Sequence, residues 1–311
     1  MALSRADRLA AGLQGLLIGD ALGVPYEFRH AAELPPLEEI EMTPPSGFVR
    51  SHARVPPGTY SDDGAQALCL LASLLACQRL DVDDLGNRLR DWYEHGAYAV
   101  DGDVFDVGIQ TREALRALRR GIPAIEAGPH GESDNGNGSL MRVLPLALWH
   151  RGTDAELVRD ADRQSRVTHG HGRSRVACAL YCLWARRTLA GADDAWSAAV
   201  ASLRGLLAPG SFEEEILEYH IRPDDPEGGR GTGYVIDTLR SARSALSRGS
   251  YEKAVRAAIA LGNDTDTTAC VTGGLAGIRD GVAAIPERWR KALRGSEIYE
   301  PLLADLVAQA G

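Results

Sequence analysis

Residues 261–281 read LGNDTDTTACVTGGLAGIRDG, a segment that joins an acidic run to many small side chains. An acidic tetrad, Asp264-Thr265-Asp266-Thr267, stands at the start of a segment whose apolar residues have helical spacing. The segment then places alanine or glycine at positions 269, 273, 274, 276 and 277. Small side chains allow a neighbouring helix to approach closely. The stretch therefore predicts a helix over 267–281 at the centre of a helical protein.

The rest of the chain shows helical spacing of apolar residues on the N-terminal and C-terminal sides of this stretch. We predict further helices over 5–22, 65–76, 82–95, 108–120, 139–150, 173–190, 195–207, 212–219, 234–246, 251–261 and 298–309. Strand-like alternation is nearly absent, and the proline- and glycine-rich stretches 29–58 and 209–233 are expected to be irregular. No linker divides the chain, so we expect one all-α domain over residues 1–311, a compact multi-helix bundle.

The composition argues against several classes of protein. The chain of 311 residues has a formal net charge of −9 and a pI of about 5.4, which argues against nucleic-acid binding through phosphates. We find no apolar run that approaches the length of a membrane span and no basic segment followed by an apolar leader. The five cysteines lie in apolar stretches without a CxxC pair. We therefore expect buried thiols, a cytoplasmic location, no membrane segment and a monomer.

A second acidic cluster, Ser61-Asp62-Asp63, opens the predicted helix that begins near Ala65. Serine and aspartate are common helix caps, but a cap needs only one or two of these three side chains. If the two acidic helix starts meet, they offer as ligands Ser61, Asp62, Asp63, Asp264, Asp266 and Thr267. All-oxygen ligands suit Mg²⁺ or Mn²⁺, and so many carboxylates would repel one another without a cation. The spacing does not fit an EF-hand, so the clusters predict a metal hydrolase rather than a calcium sensor.

Other segments carry further candidate residues. Glu27 follows GDALGVPY in a predicted loop, and Asp106 in FDVG precedes a predicted helix, where it is either a cap or a functional acid. The segment SDNGNGSLMR, residues 133–142, exposes backbone N–H groups that can bind a phosphate, although Asn-Gly pairs also form plain turns. It fits neither a Walker loop nor a dinucleotide-binding fingerprint. His169 in THGH favours a loop that could contact a phosphate or ribose rather than a zinc site.

These motifs occur together in one family that the chain resembles. The stretches GDALGVPYE, GTYSDDGAQALCLLASL, FDVGIQTREAL, DNGNGSLMRVLPLAL, THGHGRSRVACA, GTGYVIDTLRSA and GNDTDTTACVTGGLAGIRDG span about residues 12–282 and resemble the ADP-ribosylglycohydrolase family. The resemblance implies an all-α orthogonal helix bundle that holds two Mg²⁺ or Mn²⁺ ions. Ser61 replaces the usual threonine and keeps its hydroxyl, and Asn263 replaces a glycine before the retained ligands.

The resemblance also implies residue roles and a reaction. Asp106 and Glu27 match acidic residues that act near the distal ribose and the scissile bond. The loop that lines the ADP-ribose phosphates is matched by Asn135, Gly136, Asn137, Gly138 and Ser139, and further substrate contacts by His169 and Tyr234. The implied activity releases ADP-ribose from an ADP-ribosylated protein, with arginine as the favoured acceptor. Serine, O-acetyl-ADP-ribose, poly(ADP-ribose) or nucleic acid as acceptor stays open, as does a non-catalytic ADP-ribose-binding or immunity protein.

Overall fold

Helices form the regular secondary structure of the computed structural model, which describes residues 3–309. The α-helices of this range are α1 Arg5–Gly23, α2 Asp62–Cys77, α3 Val82–His95, α4 Ile109–Arg119, α5 Leu144–Trp149, α6 Asp154–Arg166, α7 Gly172–Leu189, α8 Ala195–Leu206, α9 Phe212–Glu215, α10 Val235–Leu246, α11 Tyr251–Ile259, α12 Thr265–Asp280, α13 Glu287–Ala292 and α14 Ser296–Ala308. Between residues 3 and 309 there is no β-strand, and only two isolated bridges pair His30 with Gly262 and Gly136 with Tyr234. The predicted all-α class is confirmed.

Helices α1 and α12 lie antiparallel at the centre of the fold. The backbone contacts between them pair Ala11 with Gly277, Gly15 with Gly273 and Gly19 with Ala269. Partners recur every four residues, which places them on one stripe of each helix. A Cβ atom added to Gly19 would lie 2.1 Å from the carbonyl oxygen of Ala269. The two backbones are therefore in direct contact, which explains why positions 269, 273 and 277 hold alanine or glycine.

A connected cluster of buried apolar side chains extends from Leu9 in α1 to Leu306 in α14. Because helices from opposite ends of the chain share this core, we propose that the chain is the single domain that the sequence predicts. The five cysteines are free thiols, and four of them are buried while Cys77 is half-buried.

The first helix corrects one expectation about membranes. Residues Arg5–Tyr26 have the length and apolar composition of a membrane span, with a mean hydropathy of 1.2, so the expectation that no run approaches that length was wrong. However, 89% of this window is buried inside the protein. The apolar composition of α1 is explained by its central position in the core.

Two helices were not predicted, and two predicted helices need correction. Helix α6 was not predicted because its sequence, DAELVRDADRQSR, is mostly charged, although Thr153 and Glu156 form a capping box at its start. Helix α13 was missed as well. The predicted helix 139–150 shortens to α5, since residues 139–143 form turns. The predicted helix 212–219 becomes the single turn α9, followed by the π-helix Ile216–Ile221.

Candidate active site

The carboxylate of Asp20, near the C-terminal end of α1, joins α1 to the start of α2. It accepts hydrogen bonds from the backbone N–H of Ser61 at 2.9 and 3.0 Å and from that of Gly64 at 2.8 Å. The start of a helix leaves such N–H groups without intrahelical partners and favours negative charge. Ser61 is the N-cap of α2, and its hydroxyl accepts from the N–H of Asp63 at 3.3 Å. The first acidic cluster is thus fixed against α1.

The start of α12 brings the second acidic cluster to the same place. The hydroxyl of Thr267 donates to Oδ1 of Asp63 at 3.2 Å, although the two residues are 204 positions apart in sequence. Carboxylate oxygens of Asp20, Asp63 and Asp266 lie within 4.8 Å of one another. Oδ2 of Asp264, two residues before Asp266, accepts a hydrogen bond from the side-chain amide of Asn137 at 2.7 Å. The two acidic helix starts therefore meet.

Two carboxyl oxygens of this cluster have no hydrogen-bond partner within the described residues. Oδ2 of Asp63 and Oδ2 of Asp266 are buried and have no hydrogen-bond partner among residues 3–309. Burial, followed by the charges of nearby carboxylates, raises the pKa values of Asp62, Asp63 and Asp266 well above the ordinary value for aspartate. Burial also raises the pKa of Asp20 to about 7. Buried oxygens in this state fit a bound cation, and an all-oxygen donor set suits Mg²⁺ or Mn²⁺.

A cavity of about 480 Å³ opens beside these carboxylates, within the size range of pockets that bind small molecules. The predicted site residues that line it are Glu27, Asp62, Asp63, Asp106, Gly136, Asn137, Gly138, His169, Asp264 and Thr267. The predicted residues that lie outside its wall are Ser61, Asn135, Ser139, Tyr234 and Asp266. The rest of the lining is formed by Phe28, Val107, Gly108, Gln110, Thr111, Met141, Thr232, Gly233 and Asn263.

Three predicted substrate-binding residues lie around the glycine-rich loop and not on the cavity wall. The hydroxyl of Ser139 is buried and lies 2.8 Å from that of Ser165. The side-chain amide of Asn135 donates to the carbonyl of Glu132 at 2.7 Å. Tyr234 pairs with Gly136 through an isolated bridge and precedes α10. These side chains shape the loop, whereas the residues between Asn135 and Ser139 face the cavity.

Two carboxyl groups of different acidity face the cavity from loops. Oε2 of Glu27 lies 2.7 Å from Nε2 of His52, and the polar atoms of Glu27, His52 and Asp106 lie within 4.8 Å of one another. Burial, followed by the charge of Asp106, raises the pKa of Glu27 to about 11. Burial, followed by the charge of Asp264, raises the pKa of Asp106 to about 6. Such a separation suits one carboxyl that holds a proton and one that accepts it.

His169 lies directly against the glycine-rich loop. A Cβ atom added to Gly138 would be 2.6 Å from Cε1 of His169, so the glycine lets the imidazole approach the loop backbone. Burial, followed by the nearby Arg142 cation, lowers the pKa of His169 to about 3, and the ring is neutral at pH 7. Nδ1 lies 2.8 Å from the Thr168 hydroxyl. Within the described chain Nε2 has no hydrogen-bond partner, so it can contact a ligand.

Comparison with known proteins establishes the family. The family model for ADP-ribosylglycohydrolase matches residues 1–311. The chain belongs to the ADP-ribosylglycohydrolase family. The ADP-ribosylarginine hydrolase Tri1 of Pseudomonas putida (strain GB-1) is 33% identical over 308 residues, which cover 98% of this chain and 79% of that relative.

Two further similarities agree with this family. The ADP-ribosyl-[dinitrogen reductase] glycohydrolase of Rhodospirillum rubrum is 28% identical, over 92% of this chain and 90% of the relative. A solved structure named "ADP-ribosylglycohydrolase-related protein complex" is 35% identical with a TM-score of 0.78, and the match covers 99% of both chains. The all-α fold is therefore shared along nearly the whole length of the chain.

Some residues at the site of this family member were not among the predicted site residues. The sequence could have indicated a role for Asp20, because it is a lone charge in the apolar run LLIGDALG. Arg142 also stood in a predicted motif but had no assigned role. Nothing in the sequence indicated His52 as a site residue, since it belongs to the irregular stretch 29–58 and reaches Glu27 only through the tertiary fold.

Proposed function

We propose that the chain hydrolyses the N-glycosidic bond between C1 of the distal ribose of ADP-ribose and a protein arginine, which reverses mono-ADP-ribosylation. The observation that carries the proposal is the convergence of Glu27, Asp62, Asp106 and Asp264 on one cavity. Asp106, which is assigned neither a cation nor a resting proton, can face a cationic acceptor, and the arginine guanidinium is always charged. Similarity to an ADP-ribosylarginine hydrolase at 33% identity supports the same acceptor.

We further propose that two divalent cations, Mg²⁺ or Mn²⁺, bind where the acidic helix starts meet. Their ligands would come from Ser61, Asp62, Asp63, Asp264, Asp266 and Thr267. The buried, partnerless oxygens of Asp63 and Asp266 support this assignment. When bound, the cations supply positive charge and Lewis acidity beside the ribose hydroxyls. Asp20 holds the start of α2 in place through its hydrogen bonds to backbone N–H groups.

The proton transfers are assigned to the two loop carboxyls. The reaction breaks the C1–N bond and forms a bond from C1 to a water oxygen. Asp106, with its pKa raised to about 6, is suited to accept the proton of the attacking water. Glu27, which is buried while Asp106 is half-buried, is the better placed of the two to hold a proton and donate it to the departing guanidino nitrogen. The backbone of Gly136, Asn137 and Gly138 would bind the phosphates through N–H groups.

The test is the release of ADP-ribose from substrates with defined acceptors. We expect purified protein with Mn²⁺ to act fastest on an arginine-modified protein, compared with serine-linked, O-acetyl and poly(ADP-ribose) substrates. Activity should disappear with EDTA and in Asp62→Asn, and persist in the control Asp84→Asn, whose carboxylate pairs with Arg88 in α3. Full activity of Asp62→Asn would remove the metal-site claim.

The panel also separates the alternatives. Faster release from another acceptor would show that the arginine assignment is wrong, while the proposed hydrolase activity would still hold. A non-catalytic binding protein would instead bind its modified target tightly, without turnover, and equally well after Asp62→Asn. The intact set of acidic side chains around the cavity favours the catalytic reading.

A further inference from the structure

Arg142 is a fully buried cation beside the cavity, and it has no carboxylate partner in the described part of the chain. Its guanidinium donates to neutral oxygens only: Gln66 Oε1 at 3.0 Å, Thr168 Oγ1 at 2.6 Å, Gln164 Oε1 at 3.2 Å, and the backbone carbonyls of Gln164 at 2.8 Å and Gly138 at 3.4 Å. Buried charges in proteins are usually paired with an opposite charge. This exception indicates that the cation serves to orient the groups around it.

The first group that Arg142 orients is the side-chain amide of Gln66. A guanidinium has five N–H donors and no acceptor, so it can only donate. Gln66 must therefore turn Oε1 toward Arg142, which directs its Nε2 to Oδ2 of Asp62 at 3.0 Å. The amide consequently donates to the carboxylate of Asp62. The opposite amide orientation would place two donors against each other at Arg142.

The second group is the imidazole of His169, which Arg142 reaches through Thr168. The Thr168 hydroxyl accepts from Arg142, and its own proton has one remaining neighbour, Nδ1 of His169 at 2.8 Å. Thr168 is fully buried, so a hydroxyl proton without an acceptor would be costly. Nδ1 therefore accepts, and the neutral ring carries its proton on Nε2 at the cavity wall.

We propose that Arg142 is a positioning residue that fixes hydrogen-bond direction on two walls of the cavity at once. Through Gln66 it gives Asp62 a donor, and through Thr168 it gives His169 an N–H that faces the ligand. The inference rests on the proposed function for the nature of that ligand. An N–H at this wall selects an oxygen acceptor, such as a phosphate or ribose oxygen of ADP-ribose. The donor at Oδ2 of Asp62 fixes the orientation of that carboxyl group and so determines which of its oxygens faces a cation.

The hydrogen bonds that connect Arg142 through Thr168 to His169, here called the Thr168 arm, are tested by the tautomer of His169 and by ADP-ribose affinity. In protein with ¹⁵N-labelled histidines, assigned with His169→Gln, we expect the wild type to show the Nε2–H tautomer. Thr168→Val should abolish the single tautomer and weaken ADP-ribose binding about 10-fold, the loss expected for one hydrogen bond to a charged group. Thr168→Ser should restore both, and the control Thr188→Val, in a buried position of α7, should change neither.

The hydrogen bonds that connect Arg142 through Gln66 to Asp62, here called the Gln66 arm, are tested by Mn²⁺ affinity, measured without any substrate. Gln66→Leu keeps a similar side-chain volume and removes the donor to Asp62, so we expect Mn²⁺ binding to weaken by about 10-fold. The same variant should leave the His169 tautomer unchanged, whereas Thr168→Val should leave Mn²⁺ affinity unchanged. Arg142→Met should affect both readouts if it folds, and the two single-arm variants decide the question if it does not.

Each outcome either supports or overturns the proposed positioning role of Arg142. An Nδ1–H tautomer in the wild type, or an unchanged tautomer in Thr168→Val, would refute the Thr168 arm. Unchanged Mn²⁺ affinity in Gln66→Leu would refute the Gln66 arm. A wild-type protein that does not bind ADP-ribose would refute the proposed function instead, because the tautomer and Mn²⁺ measurements do not depend on that ligand.

Discussion

Asp106 has a backbone conformation that few residues other than glycine, asparagine and aspartate adopt, with φ at +55°. Two other residues of the cavity lining, Phe28 and Asn263, have φ values of +60° and +62°. Left-handed backbone at non-glycine residues persists where the surrounding structure enforces it, and it concentrates at functional sites. The loop therefore presents the carboxyl of Asp106 to the cavity at some cost to its own stability.

We predict that Asp106→Asn lowers kcat by roughly 100-fold or more on an arginine-modified protein, the usual size of a lost general base. Thermal stability should not fall, because asparagine tolerates the left-handed region and removes a carboxylate that burial disfavours. Steady-state kinetics and calorimetry on the same preparation measure both quantities. An unchanged kcat would exclude Asp106 from proton transfer, and a large fall in Tm would indicate a structural role.

We predict that replacing aspartate by asparagine changes the free energy of unfolding differently at two positions, 266 and 160. In EDTA, Asp266→Asn should leave the free energy of unfolding unchanged or higher, since Oδ2 of Asp266 has no partner and burial raises the pKa of its carboxyl. Asp160→Asn should lower it by about 1 kcal/mol, because Asp160 accepts a hydrogen bond from Arg159 at 3.2 Å and faces His150 at 3.6 Å. Urea unfolding compares the two. Equal losses of unfolding free energy at both positions would contradict the assignment of Asp266 as a cation ligand.

The residues of the site were only partly predictable from the sequence. Ser61 to Asp63 and Asp264 to Thr267 stood out because each run has more oxygen side chains than a helix cap uses. The hydrogen bond between Glu27 and His52 could not be predicted, since no periodic pattern relates an irregular segment to a helix end. The role of Arg142 was equally hidden, because an arginine after a glycine-rich loop suggests solvent or a phosphate, not a fully buried position.

At the scale of secondary structure, the packing of α1 on α12 is the most demanding feature of the fold. We predict that Gly19→Ala lowers the free energy of unfolding by about 3 kcal/mol, because the added Cβ would lie 2.1 Å from the carbonyl oxygen of Ala269. The matched control is Gly205→Ala in α8, where the added Cβ would meet no atom within 4 Å beyond its chain neighbours and its own helix backbone. There the free energy should rise by roughly 0.5–1 kcal/mol through higher helix propensity. Similar changes at both positions, measured by urea unfolding, would refute the close packing.

Helices with an apolar stripe were predictable to within a few residues, as the prediction 173–190 for Gly172–Leu189 illustrates. Helix α6 was not, because its charged sequence offers few apolar positions to reveal its period, and its burial depends on neighbouring helices. The helix predicted from residue 139 begins instead at Leu144. Residues 139–143 keep a turn conformation because the side chain of Arg142 is held inside the protein by Gln164 and Thr168. Tertiary contacts thus override local propensity at the element that borders the cavity.

The whole molecule links its two ends through one acidic cluster. Asp20 lies in the first helix, Asp63 in the second, and Asp266 in α12, more than 200 positions further along the chain. The sequence indicated that each acidic run could bind a metal, but only the fold brings the runs within hydrogen-bond distance. An unfolded chain cannot assemble carboxylates so far apart. A cation that binds them must therefore bind the native state almost exclusively.

That exclusivity makes the number of bound ions measurable from stability alone. For one site that exists only in the native state, the free energy of unfolding should rise by about 1.4 kcal/mol for each tenfold increase in free Mn²⁺ above Kd. Two equivalent ions should double this slope to about 2.7 kcal/mol, and Asp266→Asn should reduce it. Urea unfolding across a series of buffered Mn²⁺ concentrations gives the slope directly. A slope of zero would mean that the converging carboxylates bind no cation, and the site would then have to hold its buried aspartates protonated.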